Sequence, residues 1–390
     1  MSAEKTPSHQ LLKSINQQKV LHLIFAEGPI SRVELADKTG LNQQTITNIV
    51  NRLLKDQLVV EGTPSASSGG RKPVPLTING KDMYAIGIEV AVRYIRGVLM
   101  NFAGDTIAAV EHTVTKYDDQ EHPVRLIGEA VQELLTSVPD LSKLKGIGCS
   151  IQALVNTKQG VIVYSPGLRW NHFPLKQRLE ERFGIPVYLE NDVNLHAVVE
   201  NMNGLLSDSL DNVTLKFDYG FGGAVVFQKQ LYAGANHVAG EFGHYKGFTG
   251  EHAYLCHCGR KGCLTQLASS SGLYRNKGLR LHAFNEAIRA KDPASLELLD
   301  VIIEAVGTAL SNIITFFNPD HVMLTGRWIE TMGDILVPAF REKVQELVPE
   351  SCRSVKLVYT PVIPDDAILA VGLVKKYYFD VPLDSLSLQN

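Results

Sequence analysis

Nowhere among the 390 residues do about 18 apolar residues follow one another, the length that a membrane-crossing helix needs. The nearest stretch, Val301–Phe317, is broken by Glu304, Thr308, Ser311 and Asn312 and reads as an amphipathic helix. The first 30 residues carry Glu4, Lys5, Lys13 and Lys19 and lack the apolar segment of a secretory signal. A cytoplasmic protein with no membrane partner is therefore expected. Cysteine is scarce, at five residues, which argues against a disulfide framework. Charge of one sign is missing as well: 38 Lys and Arg face 41 Asp and Glu, for a net charge of −3. With 45% hydrophobic and 20% charged residues, the composition is that of a globular chain. Its length suits two or three domains, each with its own core.

What charge there is lies unevenly. Residues 1–80 hold nine basic and six acidic side chains, net +3, and the remainder holds 29 and 35, net −6. A small basic piece on an acidic body suits a nucleic-acid-binding head.

The spacing predicts three helices before residue 58. The first, Gln10–Ala26, offers Ile15, Leu21, Leu23, Ile24 and Phe25 to a core and stops at Gly28-Pro29. Ser31 caps the second, with Glu34 completing a capping box. Val33, Leu35 and Ala36 are expected inside, and Gly40 ends the helix. Asn42 caps the third, where Ile46, Ile49, Val50, Leu53 and Leu54 recur at helical spacing and mark a buried face. The opposite face presents Gln44, Asn48, Asn51 and Lys55, flanked by Thr45, Thr47 and Arg52. Amides and hydroxyls suit base edges, and guanidinium suits phosphates. A short helix, a Gly turn and a capped third helix form the helix-turn-helix pattern, so Gln44, Thr45, Thr47, Asn48 and Arg52 are the expected DNA contacts.

A wing follows. Leu58–Val60 reads as a strand, Val74–Ile78 returns, and Ser65–Lys72 forms the tip. Gly69 and Gly70 allow close backbone approach, while Arg71 and Lys72 enter a minor groove or clamp phosphates. In isolation such a Ser/Gly tract is a linker; beside these helices it is a wing. The expected partner is a double-stranded DNA operator, palindromic and A/T-rich, read by a homodimer or homotetramer because each head reads one half-site.

From Tyr84 onward strand-like and helix-like segments alternate in an α/β layout, with strands at Ala85–Ile88, Tyr94–Met100, Gly146–Ile151, Val187–Leu189, Val213–Lys216, Ala224–Phe227 and His321–Leu324. Cys256-His257-Cys258-Gly259-Arg260-Lys261-Gly262-Cys263 sets three thiols on a Gly-bent loop suited to one soft cation. Tetrahedral zinc needs a fourth ligand. His244 is the best candidate and His257 the alternative. No open position is evident, so Zn2+ is expected to be structural.

Gly240-Glu241-Phe242-Gly243-His244, followed by Cys-x-Cys-Gly-x-x-Gly-Cys, resembles the signature of the ROK family of repressors and sugar kinases. Glu190-Asn191-Asp192, Leu231–Asn236 and the Asn318-Pro319 turn match it too, and the nearest subgroup is the xylose-repressor and N-acetylglucosamine-repressor type. The resemblance implies a winged helix-turn-helix (1–80) joined to a two-lobed ribonuclease-H-like fold of the actin/hexokinase kind. The first α/β lobe would span 81–190, with about 365–390 packing back, and the second 191–364. A sugar would bind between the lobes to Asn191, Asp192, Glu241 and His244. In ROK kinases the Asp is also the general base, since a carboxylate both accepts hydroxyl hydrogen bonds and takes a proton. Taken alone, Asp192 would be a helix cap.

The match departs from the kinases where phosphates bind. The first turn, Asp-x-Gly-x-Thr in the kinases, is Glu89-Val90-Ala91-Val92-Arg93, and bulk there should block a nucleotide. Gly220-Phe221-Gly222-Gly223 is largely retained, either as a second phosphate loop or as a turn between strands. A Gly-Gly pair near the adenosine site is Gly326-Arg327. Around the sugar, Gln152-Ala153 replaces Pro-Gly, Gly167 replaces Asn, and Thr265 replaces Glu. The expected function is a sugar-responsive regulator of carbohydrate genes, a repressor before an activator, and not an enzyme. An ATP-dependent sugar kinase carrying a DNA-binding head is the alternative, and a regulator controlled by a partner protein is a third reading.

Overall fold

The structure is a computed structural model that describes residues 9–63, 73–165, 167–248 and 250–380. Helix α1 (His9–Glu27) closes as the Gly28 N–H donates to the Ile24 carbonyl at 3.1 Å. After the short strand β1 (Ile30–Ser31), Ser31 caps α2 (Arg32–Thr39). Its hydroxyl accepts from the Glu34 N–H, and the Glu34 carboxylate accepts from the Ser31 N–H at 2.8 Å. Gly40, at φ 70°, ends the helix in the left-handed region that glycine adopts at least cost. Val33 is not inside as expected but 51% exposed. A helix of two turns buries one narrow face, and Leu35 and Ala36 occupy it. In α3 (Gln43–Lys55) the Asn42 side chain accepts from the Thr45 N–H at 2.8 Å, and Ile46, Ile49, Val50 and Leu53 are buried. Strand β2 (Val59–Glu61) pairs antiparallel with β3 (Pro75–Ile78), Val59 opposite Ile78, while β1 takes the other edge of β3. Gly69, Gly70, Arg71 and Lys72 lie outside the described residues.

The chain continues as β4 (Tyr84–Val90), β5 (Tyr94–Asn101) and β6 (Thr106–Thr113), an antiparallel meander, then α4 (Glu121–Leu135) and β7 (Leu144–Ile151). A hairpin, β8 (Leu154–Asn156) and β9 (Val161–Ser165), is followed by β10 (Trp170–Phe173), α5 (Leu175–Phe183) and β11 (Val187–Asn191). A five-stranded sheet has the order β11-β7-β4-β5-β6. Its central strand β4 is buried almost end to end, which is why it reads as a continuous apolar run and not as an alternation.

Beyond it come α6 (Asp192–Asn203), β12 (Asn212–Phe217), β13 (Phe221–Phe227) and β14 (Gln230–Leu231). Helices α7 (Ser270–Lys277), α8 (Leu281–Arg289) and α9 (Pro293–Phe317) lead to β15 (His321–Thr325), α10 (Arg327–Leu347), β16 (Lys356–Tyr359) and α11 (Asp366–Phe379). The second sheet, β14-β13-β12-β15-β16, is antiparallel on one side of β12 and parallel on the other. By length and composition α9 could cross a membrane, yet Leu298, Ile302, Val306, Leu310 and Ile313 are buried in a core with Trp328, Leu336 and Phe340 of α10.

Two compact units result. One comprises Met1–Ser150, Pro166–Leu189 and Ala370–Asn390, the other Ile151–Ser165 and Glu190–Leu369.

Candidate ligand, metal and nucleic-acid sites

On α3 the polar face stands free of the core. Gln44, Asn48, Asn51 and Lys55 are exposed, with Thr45, Thr47 and Arg52 half-buried at its margins. Gln44 Nε2 donates to Asn48 Oδ1 at 3.4 Å, and Thr47 Oγ1 donates back to the Gln43 carbonyl. The amide pair therefore stays on the surface, with donors and acceptors to spare for base edges.

In the second unit, β11 delivers its last residue as the cap of α6. Asn191 Oδ1 accepts from the N–H groups of Val193 (2.9 Å) and Asn194 (3.1 Å), and its Nδ2 donates to the Ala153 carbonyl. The cap is thus Asn191. Asp192 is no cap but the first residue of the helix, and its Oδ2 accepts from Lys216 Nζ at 3.0 Å. Lys216, on β12 and only 5% exposed, also donates to Asp366 Oδ2 at 2.9 Å, and Asp366 Oδ1 meets His196 Nε2 at 2.7 Å. Sequence reasoning missed Lys216, His196 and Asp366. Two signals were available: a lysine inside the apolar strand Val213–Phe217, and a histidine four residues after Asp192, on the same helix face. Burial alone would push Lys216 down, but the carboxylates of Asp192, Asp366 and Asp218 outweigh it and hold its ammonium above the usual range. Burial likewise opposes ionisation of Asp366, yet Lys216 and then His196 hold its carboxyl well below the usual range.

Glu241 and His244 stand on a tight turn laid against β13. A Cβ on Gly240, at φ 89°, would sit 2.1 Å from the Gly223 carbonyl oxygen, and one on Gly243 would sit 2.0 Å from that of Phe221. Only glycine permits that approach. Although 45% of its side chain stays exposed, burial around the carboxyl, followed by the charge of Asp192, pushes Glu241 up. His244 Nε2 lies 3.8 Å from Glu241 Oε2, and burial, then His257 and Lys246, lower its pKa.

The other ring nitrogen of His244, Nδ1, lies 3.8 Å from Cys256 Sγ, and Cys258 Sγ lies 3.6 Å from Cys263 Sγ. All four donor atoms fall within 4.8 Å of one another. A tetrahedral zinc with thiolate bonds of about 2.3 Å sets its ligand atoms about 3.8 Å apart, so this set fits such an ion. His257 Nδ1 approaches Cys256 Sγ at 3.7 Å but is outside the converging four. Lys246 Nζ donates to Cys263 Sγ at 2.6 Å, a cation beside the sulfurs. These four residues could hold a metal ion.

The turn at Glu89–Arg93 is held by its own neighbours. Glu89, 5% exposed, accepts from the Tyr94 hydroxyl at 2.6 Å and from Arg96, and the buried Tyr117 hydroxyl donates to the Ala91 carbonyl. A Cβ on Gly167 would lie 2.6 Å from Val92 Cγ2, so Val92 fills the space that a side chain at 167 would need. Two departures from the kinase pattern are therefore one packing event. Gly167→Asn should cost about 1–3 kcal/mol by overpacking. Val92→Ala in the same chain should recover most of that loss, as thermal melts of the three variants would show.

Of Gly220-Phe221-Gly222-Gly223, only Gly220 lies in the turn, where its carbonyl accepts from the Asp218 N–H, and the other three belong to β13. Gly223 is small because the Phe242 ring would stand 2.4 Å from its Cβ. A Cβ on Gly326, at φ 100°, would sit 2.3 Å from the Phe217 carbonyl oxygen, and Arg327 Nε lies 3.6 Å from Asp218 Oδ1. Thr265, in place of the family's Glu, is buried with its hydroxyl accepting from the Phe221 N–H.

A profile of the ROK family matches residues 85–369, and one described as winged helix-turn-helix DNA-binding matches 13–60. The chain is 30% identical to a xylose repressor of Bacillus spizizenii over 95% of its length and 97% of the relative's. A crystal structure of a ROK family transcriptional regulator, a homologue of the E. coli MLC protein, matches with a TM-score of 0.82 at 24% identity, covering 97% of this chain and 100% of that one. A ROK family glucokinase of Streptomyces griseus, solved with glucose and AMPPNP, matches with a TM-score of 0.61 at 22% identity, covering 75% and 99%. The glucokinase shares the fold of the body and, as its smaller coverage requires, does not span the whole chain. The protein belongs to the ROK family and is a DNA-binding transcriptional regulator, with a winged helix-turn-helix joined to a sugar-kinase-like two-lobed domain.

Proposed function

We propose that the protein is a cytoplasmic repressor of carbohydrate-utilisation genes, released from its operator by a sugar or sugar derivative held by Asn191, Asp192, Glu241 and His244. One observation carries the reading: Asp192, the general-base position of the kinases, is already ion-paired with Lys216. A carboxylate held by an ammonium remains a hydrogen-bond acceptor but is a poor base for a hydroxyl proton. The filled turn at Val92 and Glu89 points the same way, since a nucleotide's phosphates need open backbone there. His244 would serve two tasks, Nδ1 on a structural zinc with Cys256, Cys258 and Cys263 and Nε2 toward the ligand. The zinc would set the tautomer and orientation of the ring.

The head would read a palindromic, A/T-rich duplex as a homodimer or homotetramer through Gln44, Thr45, Thr47, Asn48 and Arg52, with the wing at Gly69, Gly70, Arg71 and Lys72. Asn48→Ala should relax preference at one base pair, worth about 1–3 kcal/mol of discrimination, and leave non-specific binding unchanged. Selection from a randomised operator library reads this directly. An unaltered preferred site would mean that α3 does not face bases.

A thermal-shift panel of pentoses, hexoses, N-acetylated and phosphorylated sugars and ATP tests the body, because a ligand stabilises only what binds it. The expected result is a shift with one sugar class, none with ATP, and no phosphorylated product. Asp192→Asn should abolish the sugar shift. Turnover of ATP with any of these sugars would overturn the reading.

A further inference from the structure

The buried cluster around Lys216 contains more than a ligand-binding carboxylate needs. Three elements meet at one ammonium through residues of the second unit: α6 through Asp192, β12 through Lys216 itself, and α11 through Asp366, its first residue. His196, one turn beyond Asp192 on α6, takes the second oxygen of Asp366. Both oxygens of Asp366 are thus engaged, and among the described residues Asp192 uses only Oδ2 within the cluster.

The last turn of the same helix is engaged in the first unit. The Phe379 ring stacks on Phe25 of α1 at 4.3 Å between centroids, with 18° between planes. His22 Nδ1 meets the Phe379 carbonyl at 3.1 Å, and Gln18 Nε2 donates to the carbonyls of Tyr378 and Asp380. Helix α1 opens the DNA-binding head.

We propose that Lys216 is a positioning residue that passes the occupancy of Asp192 to α11, and through the last turn of α11 to helix α1. This rests on the reading of Asp192 as the effector's carboxylate. A hydroxyl donating to Asp192 competes with Lys216 for its charge, so the ammonium shifts its share toward Asp366. A helix of 14 residues joined by i to i−4 hydrogen bonds carries a displacement of its first residue to its last, about 20 Å away. Coupling of this kind needs an element with two arrangements that both ends bias, and α11 is the element held at both ends.

The test needs no effector. Operator affinity is measured for the full chain, for Asp192→Asn, for Phe379→Ala and for the double variant. Groups well separated in space with no shared partner should act additively; coupling appears as non-additivity, expected here at about threefold or more in Kd. Amide exchange of Phe379 and Asp380 should also change in Asp192→Asn, a readout that a purely local role would leave still. Should Phe379→Ala fail to fold, Phe379→Leu keeps the apolar volume and removes the stacking. Additive effects with unchanged exchange would overturn the proposal. If a sugar binds through Asp192 while the cycle is additive, only this coupling fails. If the cycle is non-additive but no sugar of the panel binds, the effector reading fails instead.

Discussion

Stripping the metal from the His244, Cys256, Cys258 and Cys263 cluster should dismantle the Glu241–His244 turn and remove the response to any sugar while leaving α9 and α10 folded. Among the described residues of the loop from Gly247 to Cys263, the buried apolar side chains are Phe248, Cys256 and Cys263, with Tyr254 partly buried against the core, and the loop's convergence depends on what the four donors share. In zinc-finger peptides such an ion supplies about 10–16 kcal/mol of apparent folding free energy. Here the large core of the second unit stands without it, so the loss should be local. Elemental analysis should find one zinc per chain, and Cys258→Ser should lose it. His257→Ala should retain it, because His244 and not His257 completes the four. A folded, metal-free protein that still binds its sugar would refute the assignment.

Breaking the Lys216 cluster should, by contrast, lower global stability. Lys216→Met would leave Asp192 and Asp366 as neighbouring carboxylates without their cation, and Asp366 is only 6% exposed. Removing one partner of a buried pair costs about 3–5 kcal/mol. The pH dependence follows from the directions of the shifts. Asp366 is held below its usual range, so its contribution is complete above an unfolded value of about 3.9 and is lost as pH falls through the folded value. Lys216 is held above its usual range, so its contribution is complete below about pH 10.4 and is lost as pH rises through the folded value. Chemical denaturation across pH should therefore show a plateau between these limits. Lys216→Met should lower the plateau and flatten its alkaline limb. An unchanged alkaline limb would show that Lys216 is not the charged centre of the cluster.

The head was legible because its information is local. A capping box, a left-handed glycine and an i, i+3, i+4 apolar repeat each act within a few residues, so Ser31, Gly40, Asn42 and the buried face of α3 follow from chain order alone. Val33 escaped the same logic because helix periodicity does not say how wide a strip its neighbours cover. The metal cluster was legible for a related reason, as three of its ligands lie within eight residues. The sequence already preferred His244 to His257, and the turn brings His244 Nδ1 to 3.8 Å from Cys256 Sγ across twelve residues.

What the linear chain could not disclose is which residues pair over long separations. Lys216 meets Asp366 across 150 positions and His196 meets Asp366 across 170, and no pattern in composition or spacing announces either. The exclusion between Val92 and Gly167 is of the same kind, since each looks like a separate departure from the kinase pattern until the packing joins them. Amino-acid order by itself determined the helix-turn-helix, the alternation of strands and helices, and the thiol loop, because those rest on hydrogen bonds and ligand spacings that close locally. Only the tertiary structure decided that Asp192 is ion-paired rather than a helix cap, because a buried charge is settled by whichever groups the fold brings within about 3 Å of it.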